Sequence, residues 1–233
     1  LDSLSFGGKL NGNVKYKQDK NVYDPVSDIT IDSLQINKIL LGDLEFSIKG
    51  NEKFNQFNVE SALKQDGNER FFLNGDVNFV GQQSALALEA GFDKFDLAPF
   101  GPLLGSVLSD VRGNATGRAT IAGSLSEPEI DGRLYLNDAG MRVPYLNVDY
   151  AFEKNAIIDV TEHQFSFRKI EISDTKYSSK GILDGSIRHK KFGDWQLDLY
   201  LDSNNILALD TEDNEDAYYY GTAFMKGKAS ITG

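Results

Sequence analysis

Short segments that alternate apolar and polar residues fill the stretch from Gly113 to Phe152, and they constrain the fold more than any other feature. Small or apolar side chains occupy every second position at 117–123, 132–136 and 146–152. Because successive side chains of a strand point to opposite faces, each segment predicts a strand with one apolar and one wet face. Pro128 stands between the first two segments, where a residue that cannot donate to a sheet ladder marks a turn or an edge.

The same period of two runs along most of the chain, for example over residues 44–48, 71–79 and 195–201. Asp66-Gly67 predicts a tight hairpin turn between two of these strands. A change of phase predicts a β-bulge near Arg168-Lys169. The full pattern predicts about sixteen antiparallel strands, and a sheet of that size must curl, close or pack on itself.

Residues 96–110 interrupt this pattern. Their apolar side chains recur at helical spacing, at Leu97, Phe100, Leu104 and Leu108. Asp96 is a suitable N-cap, and Gly101-Pro102 would interrupt or restart a helix. The stretch therefore predicts one short, distorted helix in an otherwise all-β chain.

Two distant segments share one pattern: Gly117–Gly123 and Gly227–Gly233 both read Gly, basic, Ala, hydroxyl, Ile, any residue, Gly. The match is either a coincidence in a glycine-rich β protein or a structural unit that is laid down repeatedly. The chain begins at Leu1 without an initiator Met and ends on the second copy. We expect residues 1–233 to form a single continuous β segment, a fragment of a longer repetitive protein.

The composition narrows the classes of function. A net charge of −11 disfavours nucleic acid as a partner, because binding to phosphates requires basic groups. It also disfavours docking on an anionic membrane surface. The absence of Cys leaves the redox compartment open. No run approaches the ~18–20 apolar residues of a membrane helix, and no signal-peptide pattern occurs.

Residues suited to catalysis or metal binding are scarce. The two histidines, His163 and His189, lie in polar and basic turns and are predicted to be solvated. The acidic run 210–216 resembles a calcium loop in charge only, because it lacks Gly at the sixth position and has Gly221 in place of Glu at the twelfth. A solvated loop is the better interpretation. The 35 acidic residues are scattered, and the sequence does not pair them. We expect no enzyme, no catalytic or metal-binding residue and no cofactor.

Several motifs between residues 96 and 233 resemble the TamB family, the translocation and assembly module component of double-membraned bacteria. The segments that carry the resemblance are Asp96–Leu104, Gly113–Ile121, Ser126–Leu134, Val143–Tyr150, Tyr219–Phe224 and Gly227–Gly233. None of them is diagnostic alone, and the weight lies in their order.

The resemblance implies a long antiparallel curled sheet, a β-taco, whose open groove has an apolar interior. It implies a periplasmic body that is tethered to the inner membrane and reaches an outer-membrane barrel of the TamA type, in both cases through parts outside this fragment. It also implies the AsmA-like role of bridging the two membranes for phospholipid transport, for outer-membrane protein assembly, or for both. Phospholipid acyl chains are the expected ligand, and nucleic acid is not expected.

One apolar face per strand is compatible with an open groove or with a closed core. If the groove is open, its predicted lining is Ile121, Leu134, Leu136, Leu146, Val148, Tyr150, Phe152, Leu183, Leu197, Leu199 and Leu201. An exposed apolar groove must be filled by something apolar, for which acyl chains are suitable. The alternatives are a structural β-sandwich or β-solenoid of a surface adhesin, and a chaperone that offers strand edges to barrel proteins.

Overall fold

The computed structural model describes residues 5–19, 22–81, 83–104, 108–190, 193–212 and 220–233. Strands dominate this part of the chain. The first seven are β1 Phe6–Asp19, β2 Val22–Ile36, β3 Ile39–Gly50, β4 Gln56–Gln65, β5 Asn68–Val80, β6 Gln83–Asp96 and β7 Ser109–Gly123. The others are β8 Pro128–Val143, β9 Val148–Phe152, β10 Ala156–Thr161, β11 Gln164–Asp174, β12 Lys180–Lys190, β13 Gly193–Thr211 and β14 Gly221–Thr232.

These strands form one sheet, in which most strands lie beside their neighbours in the sequence. The order is β1-β2-β3-β4-β5-β6-β7-β8-β10-β11-β12-β13-β14, and β9 pairs with both β8 and β11. The described pairings are antiparallel, as between β4 and β5 or β12 and β13. The prediction of an all-β chain built on an antiparallel sheet is confirmed.

The helix predicted inside 96–110 is present as a 3₁₀ helix, Ala98–Leu104, with Pro102 inside it. Asp96 caps it as expected, since its Oδ1 accepts a hydrogen bond from the Ala98 amide at 3.0 Å. A second 3₁₀ helix, Pro144–Leu146, was not predicted. It ends at Asn147, whose left-handed backbone and small polar side chain suit a chain reversal.

Two local predictions about the strands are confirmed. Asp66 and Gly67 both have positive φ, at 52° and 76°, as a two-residue hairpin turn requires. The register between β11 and β12 shifts between Phe167 and Ile170, and Lys169 has a φ of 53° at this shift. The β-bulge therefore lies where the phase of the apolar residues changes.

The chain divides into two compact units. The described residues of the C-terminal unit are those within 96–115 and 134–233, and those of the N-terminal unit lie within 5–95 and 116–133. Strands β7 and β8 are divided between the units.

The C-terminal unit has a closed apolar core. Its buried side chains form one cluster: Ala115, Leu136, Ala139, Val148, Tyr150, Ala156, Phe167, Ile170, Ile172, Leu183, Ile187, Leu199, Leu201, Ile206 and Leu207. Strands β9 and β13 contact each other although β11 and β12 separate them in the sheet order. The Tyr150 hydroxyl donates to the Leu207 carbonyl at 2.7 Å, and the Asn147 amide donates to the Asp210 carbonyl. The sheet of this unit thus packs its apolar face against itself.

A buried carboxylate organises the turn between β11 and β12. Asp174 accepts hydrogen bonds from the backbone amides of Lys176 (3.0 Å), Tyr177 (2.6 Å) and Ser179 (2.7 Å), and from the Ser179 hydroxyl. Burial alone would raise the pKa of Asp174, but these bonds outweigh it and hold the pKa below its ordinary value. The Ser179 hydroxyl also accepts from the Leu207 amide at 2.7 Å, so this turn contacts β13.

Replacing this carboxylate should weaken the C-terminal unit in a pH-dependent manner. A depressed folded pKa contributes stability above the unfolded pKa of about 3.9, and that stability is lost as pH falls through the folded pKa. We expect Asp174→Asn to lower the free energy of unfolding by roughly 1–3 kcal/mol at pH 7, and by less at pH 3. Urea unfolding at both pH values measures this. The control is Asp138→Asn, at an exposed residue with a φ of 50°, which should change little. Equal deficits for Asp174→Asn at pH 7 and pH 3 would contradict the expectation.

Candidate apolar binding surface

The strand register of the N-terminal unit places its apolar side chains on one face. Ile29 lies opposite Phe46, Phe46 opposite Ser61, and Ser61 opposite Leu73. Residues at every second position of a strand share a face. These paired residues therefore identify which residues of β3 to β6 lie on the same face. The apolar face so defined consists of Ile29, Ile31, Leu44, Phe46, Ile48, Phe57, Val59, Ser61, Leu63, Phe71, Leu73, Gly75, Val77, Phe79, Leu86, Leu88, Ala90 and Phe92.

This apolar face is only partly covered. Val59, Ser61, Leu63, Leu86 and Ala90 are buried, whereas the other side chains of the face are half-buried. In the C-terminal unit, by contrast, Ile206 and Leu207 are 0% and 1% exposed. Strands with the same alternation thus form a sealed core in one unit and a half-open face in the other. A large exposed apolar patch on a protein marks an interaction site.

Phenylalanine rings form one side of the face. The ring of Phe71 lies 5.2 Å from that of Phe92 and 5.9 Å from that of Phe95, and Phe92 and Phe95 are 5.6 Å apart. Phe95 reaches this group because Lys94 has a φ of 48°, which changes the phase of β6. The Lys94 amide donates to the Thr116 hydroxyl at 3.0 Å and holds this bend. Phe92 and Phe95 meet edge to face, a geometry typical of stable aromatic pairs, and the other two pairs are tilted.

The opposite face of the same strands is polar. Lys64 pairs with Glu45 at 2.8 Å and Lys49 with Glu60 at 3.4 Å, all with exposed side chains. Such surface pairs contribute little stability, but they identify this face as the one in contact with water. In the described strands of the N-terminal unit, one face is thus mainly apolar and the other mainly polar.

Strand β1 extends the apolar face to the end of the described sheet. Leu10 lies opposite Ile31 and Val14 opposite Ser27 on β2. Phe6, Leu10 and Val14 are all exposed. Because β1 ends the described strand order, it also presents an edge on which a further strand could pair.

The groove-lining residues predicted from the sequence lie elsewhere. Among them, Leu136, Val148, Tyr150, Leu183, Leu199 and Leu201 are buried in the C-terminal core. Leu134, Leu146, Phe152 and Leu197 are half-buried and pack against that core, and Ile121 is a half-buried residue of the N-terminal unit. Ten of the eleven predicted lining residues thus lie together, but they form a packed core or pack against it. Tyr150 illustrates the closure, since burial and the nearby Asp174 carboxylate raise its pKa to about 12.

The prediction for His189 was wrong, and that for His163 was right. His163 is exposed, but His189 is only 6% exposed. Its imidazole ring lies 5.4 Å from the Phe165 ring and 5.2 Å from the Trp195 ring. Burial, followed by the charge of His163, lowers the pKa of His189. The reason for the error is positional, because residue 189 shares a face with Ile187 at the end of the core.

The described residues show neither a metal site nor a membrane-spanning helix. Within those ranges, no group of three or more His, Asp or Glu side chains could hold a metal ion. Residues 213–219, which include most of the acidic run, lie outside the described residues. In the described part of the chain, no helix is long and apolar enough to cross a membrane.

Comparison with known proteins adds no relative. The chain matches no protein-family model, no curated protein and no solved structure. The resemblance to the TamB family therefore rests on the sequence motifs alone.

Proposed function

We propose that this chain is a segment of a periplasmic TamB-like protein, and that its N-terminal unit binds phospholipid acyl chains on the apolar face. In this role the protein bridges the inner and outer membranes for phospholipid transport, for outer-membrane protein assembly, or for both. The observation that supports the proposal is that this face is half-buried, whereas the same strand pattern forms a buried core in the C-terminal unit.

The chemistry of the face suits acyl chains. Its members are aliphatic and aromatic residues with Ser61 and Gly75 among them, and none carries a charge. Burying a methylene contributes about 0.8 kcal/mol, so ten half-covered methylenes of one acyl chain would supply about 4 kcal/mol. Binding of this strength is reversible, which a transport surface requires.

The wider setting follows from the resemblance. An inner-membrane tether and an outer-membrane barrel partner of the TamA type would both act through parts outside this segment. The acidic charge of the chain agrees with contact through an apolar face rather than through adsorption to anionic lipid headgroups.

A pair of adjacent positions on β6 tests the proposal. Leu88 is half-buried on the apolar face, opposite Gly75, whereas Ala87 is exposed on the other face, opposite Asp76. An arginine at position 88 can reach water, because the face is half open, but its charge repels acyl chains. We expect the Leu88→Arg variant to fold. Native mass spectra of the purified variant should lack the phospholipid-bound species that the unmodified chain shows. Ala87→Arg should keep both the fold and the lipid.

Two results would contradict acyl binding on this face. One is a folded Leu88→Arg variant that carries lipid at the level of the unmodified chain. The other is a complete absence of lipid from the unmodified chain, both as purified and after incubation with phospholipid vesicles, which would favour a purely structural β segment.

The exposed edge of β1 favours a second candidate function, capture of unfolded barrel strands during outer-membrane assembly. A strand added to this edge would gain main-chain hydrogen bonds and would contact Phe6, Leu10 and Val14. Crosslinking of a barrel-strand peptide to β1, in competition with phospholipid, distinguishes this role from acyl binding.

A further inference from the structure

Three turns at one end of the N-terminal unit carry exposed apolar residues. Successive strands run in opposite directions, so the connections β3–β4, β5–β6 and β7–β8 lie at the same end of the sheet. Phe54 is 43% exposed at the first connection, Val80 is 78% exposed at the second, and Leu125 is 59% exposed at the third. We call these three residues the apolar rim. Neighbouring turns are two strand spacings, or about 10 Å, apart.

Hydrogen bonds link the three turns to one another. The Phe79 amide donates to the Asn55 carbonyl at 2.7 Å, which joins the β3–β4 turn to the end of β5. Phe79 lies opposite Ser84 on β6. The Ser84 hydroxyl in turn accepts a hydrogen bond from the Leu125 amide at 2.9 Å. The backbone of the apolar rim is thus ordered before any partner binds, which lowers the entropic cost of binding.

Phe54 has a backbone conformation that a bulky residue rarely adopts. Its φ is 53°, in the left-handed region that Gly and Asn favour. Asn51 closes this turn, since its side-chain Oδ1 accepts from the Asn55 amide at 3.1 Å and its carbonyl accepts from the Phe54 amide at 3.0 Å. A strained residue that its surroundings hold in place points to a functional role.

Apolar side chains lie on both faces of the sheet at this end. Val80 follows Phe79, so by alternation it lies on the polar face, which carries Asn78 farther along β5. Phe79 and Phe57 lie on the apolar face, with ring centroids 5.8 Å apart. An end that is apolar on both faces suits immersion in an apolar medium better than contact with one flat partner. The apolar rim also adjoins the apolar face at Phe79.

We propose that the apolar rim inserts into the surface of a zwitterionic phospholipid bilayer. Its three residues stand about 10 Å apart, so they form separate tips rather than one continuous patch. Fluid hydrocarbon can surround separate tips, whereas a protein partner would need a matching pocket for each. The exposed Glu127 beside Leu125 and the net charge of −11 disfavour anionic headgroups, which leaves zwitterionic lipid.

This contact would let acyl chains pass from the bilayer to the apolar face. It adds to the membrane tether and the barrel contact, which the resemblance to the TamB family places outside this segment. The role of the contact in lipid transfer rests on the proposed acyl binding, but the contact itself does not. The two proposals can therefore fail separately.

A fluorophore on the apolar rim tests the contact. The chain contains no Cys, so a single introduced thiol can carry the environment-sensitive dye nitrobenzoxadiazole. We expect the dye at Leu125→Cys to brighten and to shift to the blue when phosphatidylcholine vesicles are added. Phosphatidylglycerol in the vesicles should weaken this response. The matched control is Leu40→Cys, because Leu40 is 49% exposed at the opposite end of the strands, beside the Asp66-Gly67 turn, and the dye there should not respond.

Vesicle flotation of the unlabelled chain provides a second test. Val80→Ser with Leu125→Ser should weaken partitioning into phosphatidylcholine vesicles about tenfold, equivalent to ~1.4 kcal/mol. Ile39→Ser with Leu40→Ser removes exposed apolar side chains at the opposite end and should leave partitioning unchanged. Leu88→Arg should also float normally although it carries no lipid, which distinguishes a failure of acyl binding from a failure of the rim contact.

Several results would overturn the proposal. These are no response of the dye at position 125 to phosphatidylcholine vesicles, an equal response at position 40, and a response that requires phosphatidylglycerol. Flotation of the Val80→Ser, Leu125→Ser variant at the level of the unmodified chain would overturn it too. A response at position 125 that grows with protein concentration without vesicles would show that a second copy of the chain covers the apolar rim instead.

Discussion

Leu199→Arg is expected to unfold the C-terminal unit. Leu199 is 7% exposed and lies between Gly185 on β12 and Ile231 on β14. An arginine there would leave a charge in the closed core without water or a partner, at a cost of roughly 3–5 kcal/mol. The free energy of unfolding of a domain is only about 5–15 kcal/mol, so this cost removes a large part or all of the stability of the unit. Urea unfolding followed by circular dichroism measures the loss.

The neighbouring residue provides the control. Tyr200 is 53% exposed on the opposite face of β13, so Tyr200→Arg should change the free energy of unfolding by less than about 0.5 kcal/mol. If Leu199→Arg instead folds with the stability of the unmodified chain, the apolar face of the C-terminal unit is open to solvent, and its closure against itself is wrong.

Gly75→Ala is expected to have the next largest effect, in the N-terminal unit. Gly75 has a φ of +141°, which side chains rarely adopt, and an added Cβ would lie 2.1 Å from the Ala87 carbonyl oxygen. Backbone strain and the displacement of β6 together should cost roughly 2–5 kcal/mol. A lower urea midpoint with an unchanged slope would report this loss.

The control for this substitution lies on the edge strand. Gly12 has no positive φ, and the nearest atom to an added Cβ is 3.9 Å away. Gly12→Ala should therefore change the stability by no more than about 0.5 kcal/mol. Equal losses for both variants would show that the close approach of β5 and β6 at Gly75 is not what sets the cost.

The strands and their local irregularities could be predicted from the sequence because they depend on nearby residues. The alternation over 44–48 and 71–79 indicates β3 and β5, Asp66-Gly67 indicates the turn before β5, and the phase change at Arg168-Lys169 indicates the bulge. Each of these signals arises from side-chain direction or from backbone φ within a few residues.

The closure of the C-terminal core could not be predicted, because it depends on contacts between distant strands. Ile206 and Leu207 are consecutive and both buried, which breaks the period of two. The register of β13 and β14 shifts on both sides of this pair. The alternation around Leu199, in contrast, does not differ from that of strands in the N-terminal unit. Most of the lining residues predicted from this alternation therefore lie in or against the C-terminal core.

His189 shows a signal that was present in the sequence and overlooked. Its neighbours Arg188 and Lys190 are charged, which suggests a surface turn. The period of two, counted from Ile187, nevertheless places residue 189 on the core face, where the structure has it. The period of two thus indicates the burial of residue 189 correctly, whereas the charge of the adjacent residues does not.

The most direct test of acyl binding by the N-terminal unit is photocrosslinking with a phospholipid that carries a diazirine in its acyl chain. The sites of attachment are located by peptide mass spectrometry of the whole chain. We expect adducts on the apolar face, at residues such as Phe46, Val77 and Leu88, and none at Ile206 or Leu207. Adducts confined to the strands of the C-terminal core, or spread equally over the polar face, would contradict acyl binding on this surface.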